Sequence, residues 1–171
     1  MRLGHLSKRF FGSLRPGGPA SVDVTWVRSH LLPSEWELWQ QMSRADRRHS
    51  IAVARRVERA LGHEAERPVI AAALLHDVGK LDAALGPYGR VVATLSVSIA
   101  GQSAAEQWTA ARGFTRKIGL YARHAEIGAD RLELAGSDPL TVTWAREHHQ
   151  PEETWTLPHL LASALKDADD D

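Results

Sequence analysis

A carboxylate on an apolar helix face limits what this chain can fold into. In RPVIAAALLHDVGK (67–80), Ile70, Ala73, Leu74 and Asp77 recur at the three- and four-residue steps that share one face of an α-helix. His76 stands one position round, beside Val69 and Ala73. A carboxylate drawn into an apolar interior costs several kcal/mol unless it is paired or coordinates a metal. The chain must therefore bring partners for Asp77 from elsewhere.

The histidines supply candidates. His49 shares a helical stripe with Val53, Val57 and Ala60. His124 follows Tyr121 by three residues and precedes Gly128 by four. His148 lies four after Trp144, and His149 four after Ala145. His5, His30, His63 and His159 fall in capping, terminal or linker contexts and read as ordinary polar residues. There is no cysteine, which removes disulfides, thiolate ligands and Cys nucleophiles. Inward imidazoles on several helices, together with Asp77, are hard to satisfy by mutual hydrogen bonds. A divalent cation satisfies them together, and this donor set suits Zn, Fe, Mn or Ni.

Ala, Leu, Arg and Glu dominate and sustained alternation is scarce, so the expectation is an all-α fold. RPGGP at 15–19 reads as a linker. Residues 1–20, with Arg2, Lys8, Arg9 and Arg15, are expected to be a flexible basic segment, and 21–171 a single helical domain. Helices are expected over Val22–Leu32 and Ser34–Met42, parted by Pro33, with Ser34 available to cap the second. Ser43 can cap a helix through Leu61, with Asp46 three residues on and Gly62 past its end. Pro68 opens a helix reaching Asp77 or Val78, with Gly79 near its end. GPYGR at 86–90 reads as a turn. Val91–Arg112 holds one or two helices broken near Gly101, and Phe114–Ala135 is helical with an interruption at Gly119 or Gly128. Asp138–Pro139 suits the cap and first position of a helix to about His149, and Leu157–Asp170 is the last helix.

The most apolar run, VVATLSVSIA at 91–100, is half the ~20 residues that a membrane helix needs, and reads as a buried core helix. The N-terminus lacks the apolar stretch of a secretory signal. Equal numbers of basic and acidic residues leave a formal net charge of +0, a poor match for general binding to nucleic acid or anionic lipid. With cysteine absent, this fits a cytoplasmic protein without a transmembrane segment.

RRHSIAVARRV, ALLHDVGK, YARHAEIGADRL, REHHQPEE and a closing helix that ends in Asp resemble the HD-domain superfamily of metal-dependent phosphohydrolases, over about Arg47–Asp171. The resemblance implies an all-helical HD-type domain. It implies that His49, His76 and Asp77 are metal ligands, with Asp77 bridging two ions. His124, His148 and His149 resemble the extra histidines of the two-metal branches. Lys80 matches the lysine after the His-Asp pair and would contact substrate phosphate or order the site. For the last ligand Asp169, in phase with Leu161 and Leu165, is preferred, and Asp167 is the alternative. Two departures bear on substrate. QPEETWTLPHL stands where the HD-GYP branch, which cleaves cyclic di-GMP, carries its GYP segment. Ala45 stands where some members of that branch have Glu. Both argue against cyclic di-GMP cleavage and a third metal.

The expectation is therefore a phosphohydrolase acting on a small phosphorylated substrate through a metal-activated water, with two divalent ions. Asp77, Lys80 and His124 are the expected catalytic residues. Arg48, Arg90, Arg116 and Arg123 are candidate phosphate contacts, and GPYGR, with Tyr88, a candidate rim. Two other classes fit the same ligands: an HD-type di-iron oxygenase, and a non-catalytic regulatory or scaffold module. The six Trp residues read mainly as core.

Overall fold

The computed structural model describes residues 17–170. Among these, every regular element is helical and no strand occurs. The α-helices are α1 (Ser21–His30), α2 (Pro33–Gln41), α3 (Arg44–Leu61), α4 (Arg67–Leu75), α5 (Lys80–Ala83), α6 (Pro87–Ala100), α7 (Gln102–Gln107), α8 (Gly113–Ala122), α9 (His124–Leu134), α10 (Pro139–Glu147) and α11 (His159–Asp170). Short 3-10 turns occupy Gly62–Glu64, Trp108–Ala110 and Glu152–Thr154. Most of the basic segment expected over 1–20 lies outside the described residues, and α1 begins at Ser21. No helix among the described residues is long and apolar enough to cross a membrane.

The hydrophobic centre is α4. Every residue from Val69 to Leu75 is 3% exposed or less. Burying each Leu or Ile contributes about 1.5–3 kcal/mol. Helices α1, α2, α3 and α10 pack around α4, α11 lies on α3, and α9 lies on α10. Trp39 and Trp144 are buried in this core, and Trp26, Trp36 and Trp155 pack against it. Ala83, Leu85, Ala93 and Ile118 form a second cluster, with Trp108 against it, where α5, α6 and α8 meet.

Local signals explain the principal helix starts. The Ser43 hydroxyl accepts from the Asp46 amide at the head of α3, and Gly62, at φ 56°, ends that helix. Asp138 caps α10, with Pro139 in the first turn. Ser34 does not cap α2: Pro33 occupies the first position after Leu32, and the Ser34 hydroxyl donates to the Ala135 carbonyl at 2.6 Å.

Four further expectations are corrected. Helix α4 stops at Leu75 rather than at Asp77 or Val78, and the chain continues in tight turns through Val78 N–Leu75 O (2.9 Å) and Lys80 N–Asp77 O (3.0 Å). The 113–134 stretch breaks at Arg123, not at a glycine. Gly119 and Gly128 stay helical because other backbone presses on them. A Cβ on Gly119 would stand 2.5 Å from the Thr109 nitrogen, and one on Gly128 would stand 3.1 Å from the Gly79 nitrogen. GPYGR is not a free turn, since Pro87 starts α6 and places VVATLSVSIA on that helix. The run is not a core helix either. Only Ala93 is buried, and Ile99 is 87% exposed, because α6 packs chiefly on α7 and α8.

Gly79 is the tightest contact. A Cβ there would lie 1.9 Å from the His124 carbonyl oxygen and 2.6 Å from the Gly128 nitrogen. The turn after α4 therefore rests backbone to backbone on the first turn of α9. Gly79→Ala should destabilise the protein by about 3 kcal/mol or more, and Gly128→Ala by less than about 2 kcal/mol. Urea unfolding followed by circular dichroism measures both, and equally small losses would contradict this packing.

Candidate metal centre

Three imidazoles are aimed by the same device. The last carbonyls of an α-helix have no partner within the helix and need a donor. His76 Nδ1 donates to Ala73 O at 3.0 Å, at the end of α4. His148 Nδ1 donates to Ala145 O at 2.9 Å, at the end of α10. His124 Nδ1 donates to Tyr121 O at 2.7 Å, where α8 ends. Each bond caps a helix and fixes the ring, leaving Nε2 as the atom offered to the interior.

Those Nε2 atoms converge on Asp77. His76 Nε2 is 3.5 Å from Oδ2, while His124 and His148 reach Oδ1 at 3.5 and 3.8 Å. Neither His76 Nε2 nor His148 Nε2 has a hydrogen-bond partner, although both are buried. Two groups follow, each able to hold a metal ion: His49, His76 and Asp77, and Asp77, His124, His148 and His149. Within each, the donor atoms lie within 4.8 Å of one another. The Asp169 carboxylate, from the end of α11, extends the first group, 2.8 Å from His49 Nε2 and 3.5 Å from His76 Nε2. Asp167 faces solvent. In the second group His149 Nε2 lies 3.1 Å from His124 Nε2.

The positive charge facing these carboxylates is carried by His76 and Lys80. Burial works to lower the His76 pKa, but Asp77 and Asp169 overcome it and hold the imidazole up to about 10. Burial works to raise Asp77, yet Lys80 and His76 keep it well below the usual carboxylate range. Lys80 Nζ donates to Asp77 Oδ2 at 2.5 Å. Burial and the neighbouring His149, His76 and His124 rings push His148 well down. His149 has surface open to solvent, but its ring is enclosed against His124, and that enclosure lowers it to about 3. His148 and His149 are thus held neutral, while His76 keeps its proton between Asp77 and Asp169.

Beside the Asp77–Lys80 face lies a cavity of about 240 Å³, bordered by Gln41, Met42, Ser43, Asp46, Leu85 and Arg90. Arg90 grips Asp46 with both terminal nitrogens, one of them at 2.7 Å from Oδ2. Asp46, whose amide and carboxylate both bond the capping Ser43 hydroxyl, thus also holds Arg90 at the cavity, a role its sequence spacing does not show. Of the other candidate phosphate contacts, Arg48 bonds the Gly17 carbonyl, and Arg116 and Arg123 face solvent. Tyr88 is exposed. His30 and His63 lie away from the cluster, His159 pairs with Glu152 at 2.5 Å on the surface, and His5 is outside the described residues.

No family model, curated protein or solved structure matches this chain. The functional reading therefore rests on the geometry of the site. Adding a divalent ion at about a hundred times its Kd should stabilise the protein by about 2.7 kcal/mol, roughly 5–10 °C in Tm. A chelator should reverse the shift, and Asp77→Asn should remove most of it. Thermal unfolding with and without Mn(II) or Zn(II) checks this, and a Tm indifferent to every ion tried would contradict a metal centre.

Proposed function

We propose that this chain is an HD-type, metal-dependent phosphohydrolase that holds two divalent ions across Asp77 and cleaves a small phosphoester. The sharing of Asp77 carries the reading: one carboxylate turns its two oxygens to two groups of imidazoles. His49, His76 and Asp169 would complete one shell, and His124, His148 and His149 the other. Imidazole and carboxylate donors suit Fe, Mn, Ni or Zn. The order of donors along the chain, His, His-Asp, His, His-His, Asp, is the order that the HD resemblance implies.

Ions in such shells supply Lewis acidity, which acidifies water and offsets charge on phosphoryl oxygens. Asp77 ties the two shells together. Lys80, buried beside it, neutralises charge that builds on a phosphoryl oxygen. One ring of the His124–His149 pair, whose Nε2 atoms lie 3.1 Å apart, would take a proton from the attacking water and return it to the leaving ester oxygen. The water oxygen joins phosphorus, the ester P–O bond breaks, and a phosphate and an alcohol leave.

The test is turnover. Protein loaded with Mn(II), Fe(II), Ni(II) or Zn(II) should cleave at least one member of a panel of cyclic nucleotides, linear nucleotides and sugar phosphates. Asp77→Asn should lower that rate about 10²–10³-fold while circular dichroism stays unchanged. Undiminished turnover in Asp77→Asn would sink the mechanism. Dioxygen uptake by the Fe(II) form without phosphoester cleavage would reassign the chain to a di-iron oxygenase, and tight metal binding without turnover to a regulatory module.

A further inference from the structure

Helix α6 is apolar on two opposite sides. Its inner side carries Arg90, Ala93 and Val97: Ala93 is wholly buried, Val97 packs on the second cluster, and Arg90 is held by Asp46. Tyr88, Val92, Leu95 and Ile99 lie on the outer side, at steps of four, three and four, the spacing of a helix-to-helix seam. They are 71%, 46%, 52% and 87% exposed. An apolar stripe left open in this way marks a contact site.

Charge and symmetry together say what covers the stripe. Arg90 is the one charged residue on α6 and is turned inward, so an acidic peptide, a nucleic acid or an anionic membrane finds no counter-charge on this helix. The polar residues make no demand either: the Thr94 and Ser98 hydroxyls donate to the Arg90 and Thr94 carbonyls of the same helix, each at 2.9 Å. The stripe is also palindromic. About a midpoint between Ala93 and Thr94, Tyr88 mirrors Ile99 and Val92 mirrors Leu95. A two-fold axis at that point runs two copies of the helix antiparallel and sets each residue against its mirror mate, as an isologous contact requires. We propose that the outer face of α6 is a self-association surface on which a second copy of this chain docks antiparallel, with Val92 of one copy on Leu95 of the other and Tyr88 on Ile99. The contact is independent of the metal centre. Its 14 residues span about 21 Å, a strip about 10 Å wide, well short of the ~800 Å² that each partner gives to a standard interface. The dimer is therefore weak and reversible, with a Kd of about 10–100 µM.

Sedimentation velocity of the full chain, from about tenfold below to about tenfold above that Kd, tests this. The sedimenting mass should rise from one chain towards two. Leu95→Glu should weaken the dimer tenfold or more, because two like charges then meet at the centre of the seam, while circular dichroism stays unchanged. If Leu95→Glu fails to fold, Leu95→Ser should show the same direction of change. Val92→Glu and Leu95→Lys reveal the register. Each variant alone should stay monomeric, and an equal mixture of the two should associate again, since the introduced carboxylate of one chain faces the introduced ammonium of the other. A parallel seam, which sets each position against itself, gives no such rescue. A chain that stays monomeric at every concentration overturns the proposal, including one whose stripe is covered by residues 1–16. So does a dimer that survives both substitutions of Leu95, or a mixture that fails to associate. Binding to phosphatidylglycerol vesicles that is lost in Leu95→Glu, without any dimer, overturns it in favour of a membrane contact.

Discussion

The fold is organised around one buried charge. Asp77 is 3% exposed, at the end of a helix made almost wholly of apolar side chains. A charge in that position costs several kcal/mol if it is left without partners. Its partners come from three parts of the chain: His76 and Lys80 on either side of it, His124 at the head of α9, and His148 at the end of α10. Packing α10 on α4 and α9 on α10 is therefore both core formation and assembly of the shell around a carboxylate.

Helix termination does part of that assembly. A helix end leaves carbonyls that need donors, and a ligand imidazole needs something to hold its second nitrogen. Ala73, Ala145 and Tyr121 answer both needs through His76, His148 and His124. The early stop of α4 follows from the same economy. Were the helix to run on through Asp77, the Ala73 carbonyl would take the Asp77 amide instead of the His76 ring. Ending at Leu75 frees the carbonyl and turns His76 and Asp77 toward the cluster.

Much of this arrangement was legible from helical phase, and the remainder fails for definite physical reasons. Asp77 lies in the turn past Leu75 and is turned inward there, whereas His49 sits in regular helical pattern with buried neighbours, so its direction could be read from spacing. The same holds for Asp169, which is in phase with Leu161 and Leu165 and reaches His49, whereas Asp167 does not. Phase has nothing to say about His148 and His149. On a continuing helix adjacent residues diverge, but α10 ends at Glu147, and beyond that point both rings reach one group. Glycine was a poor guide to helix breaks, because Gly119 and Gly128 serve close approach rather than a turn. Hydropathy shows what could be buried, not whether a partner exists, and so VVATLSVSIA read as core while its outer face stays open. The Asp46–Arg90 pair joins residues 44 apart in the chain, a separation that no local pattern reports.

Gly79 and Gly128 finally tie the backbone to the chemistry. A binding constellation has to be held within about 0.5 Å of its working geometry. Side-chain packing alone leaves more freedom than that, since rotamers can adjust around an added methyl group. A backbone resting on a backbone has no such adjustment. With the Gly79 nitrogen against Gly128 and its Cα beside the His124 carbonyl, the distance between the turn bearing Asp77 and the helix bearing His124 is set by atoms that cannot rotate away. Any side chain at position 79 would push α9 off by more than the tolerance of a metal shell. Gly79 therefore belongs to the candidate site as fully as the histidines do, although it offers no ligand atom.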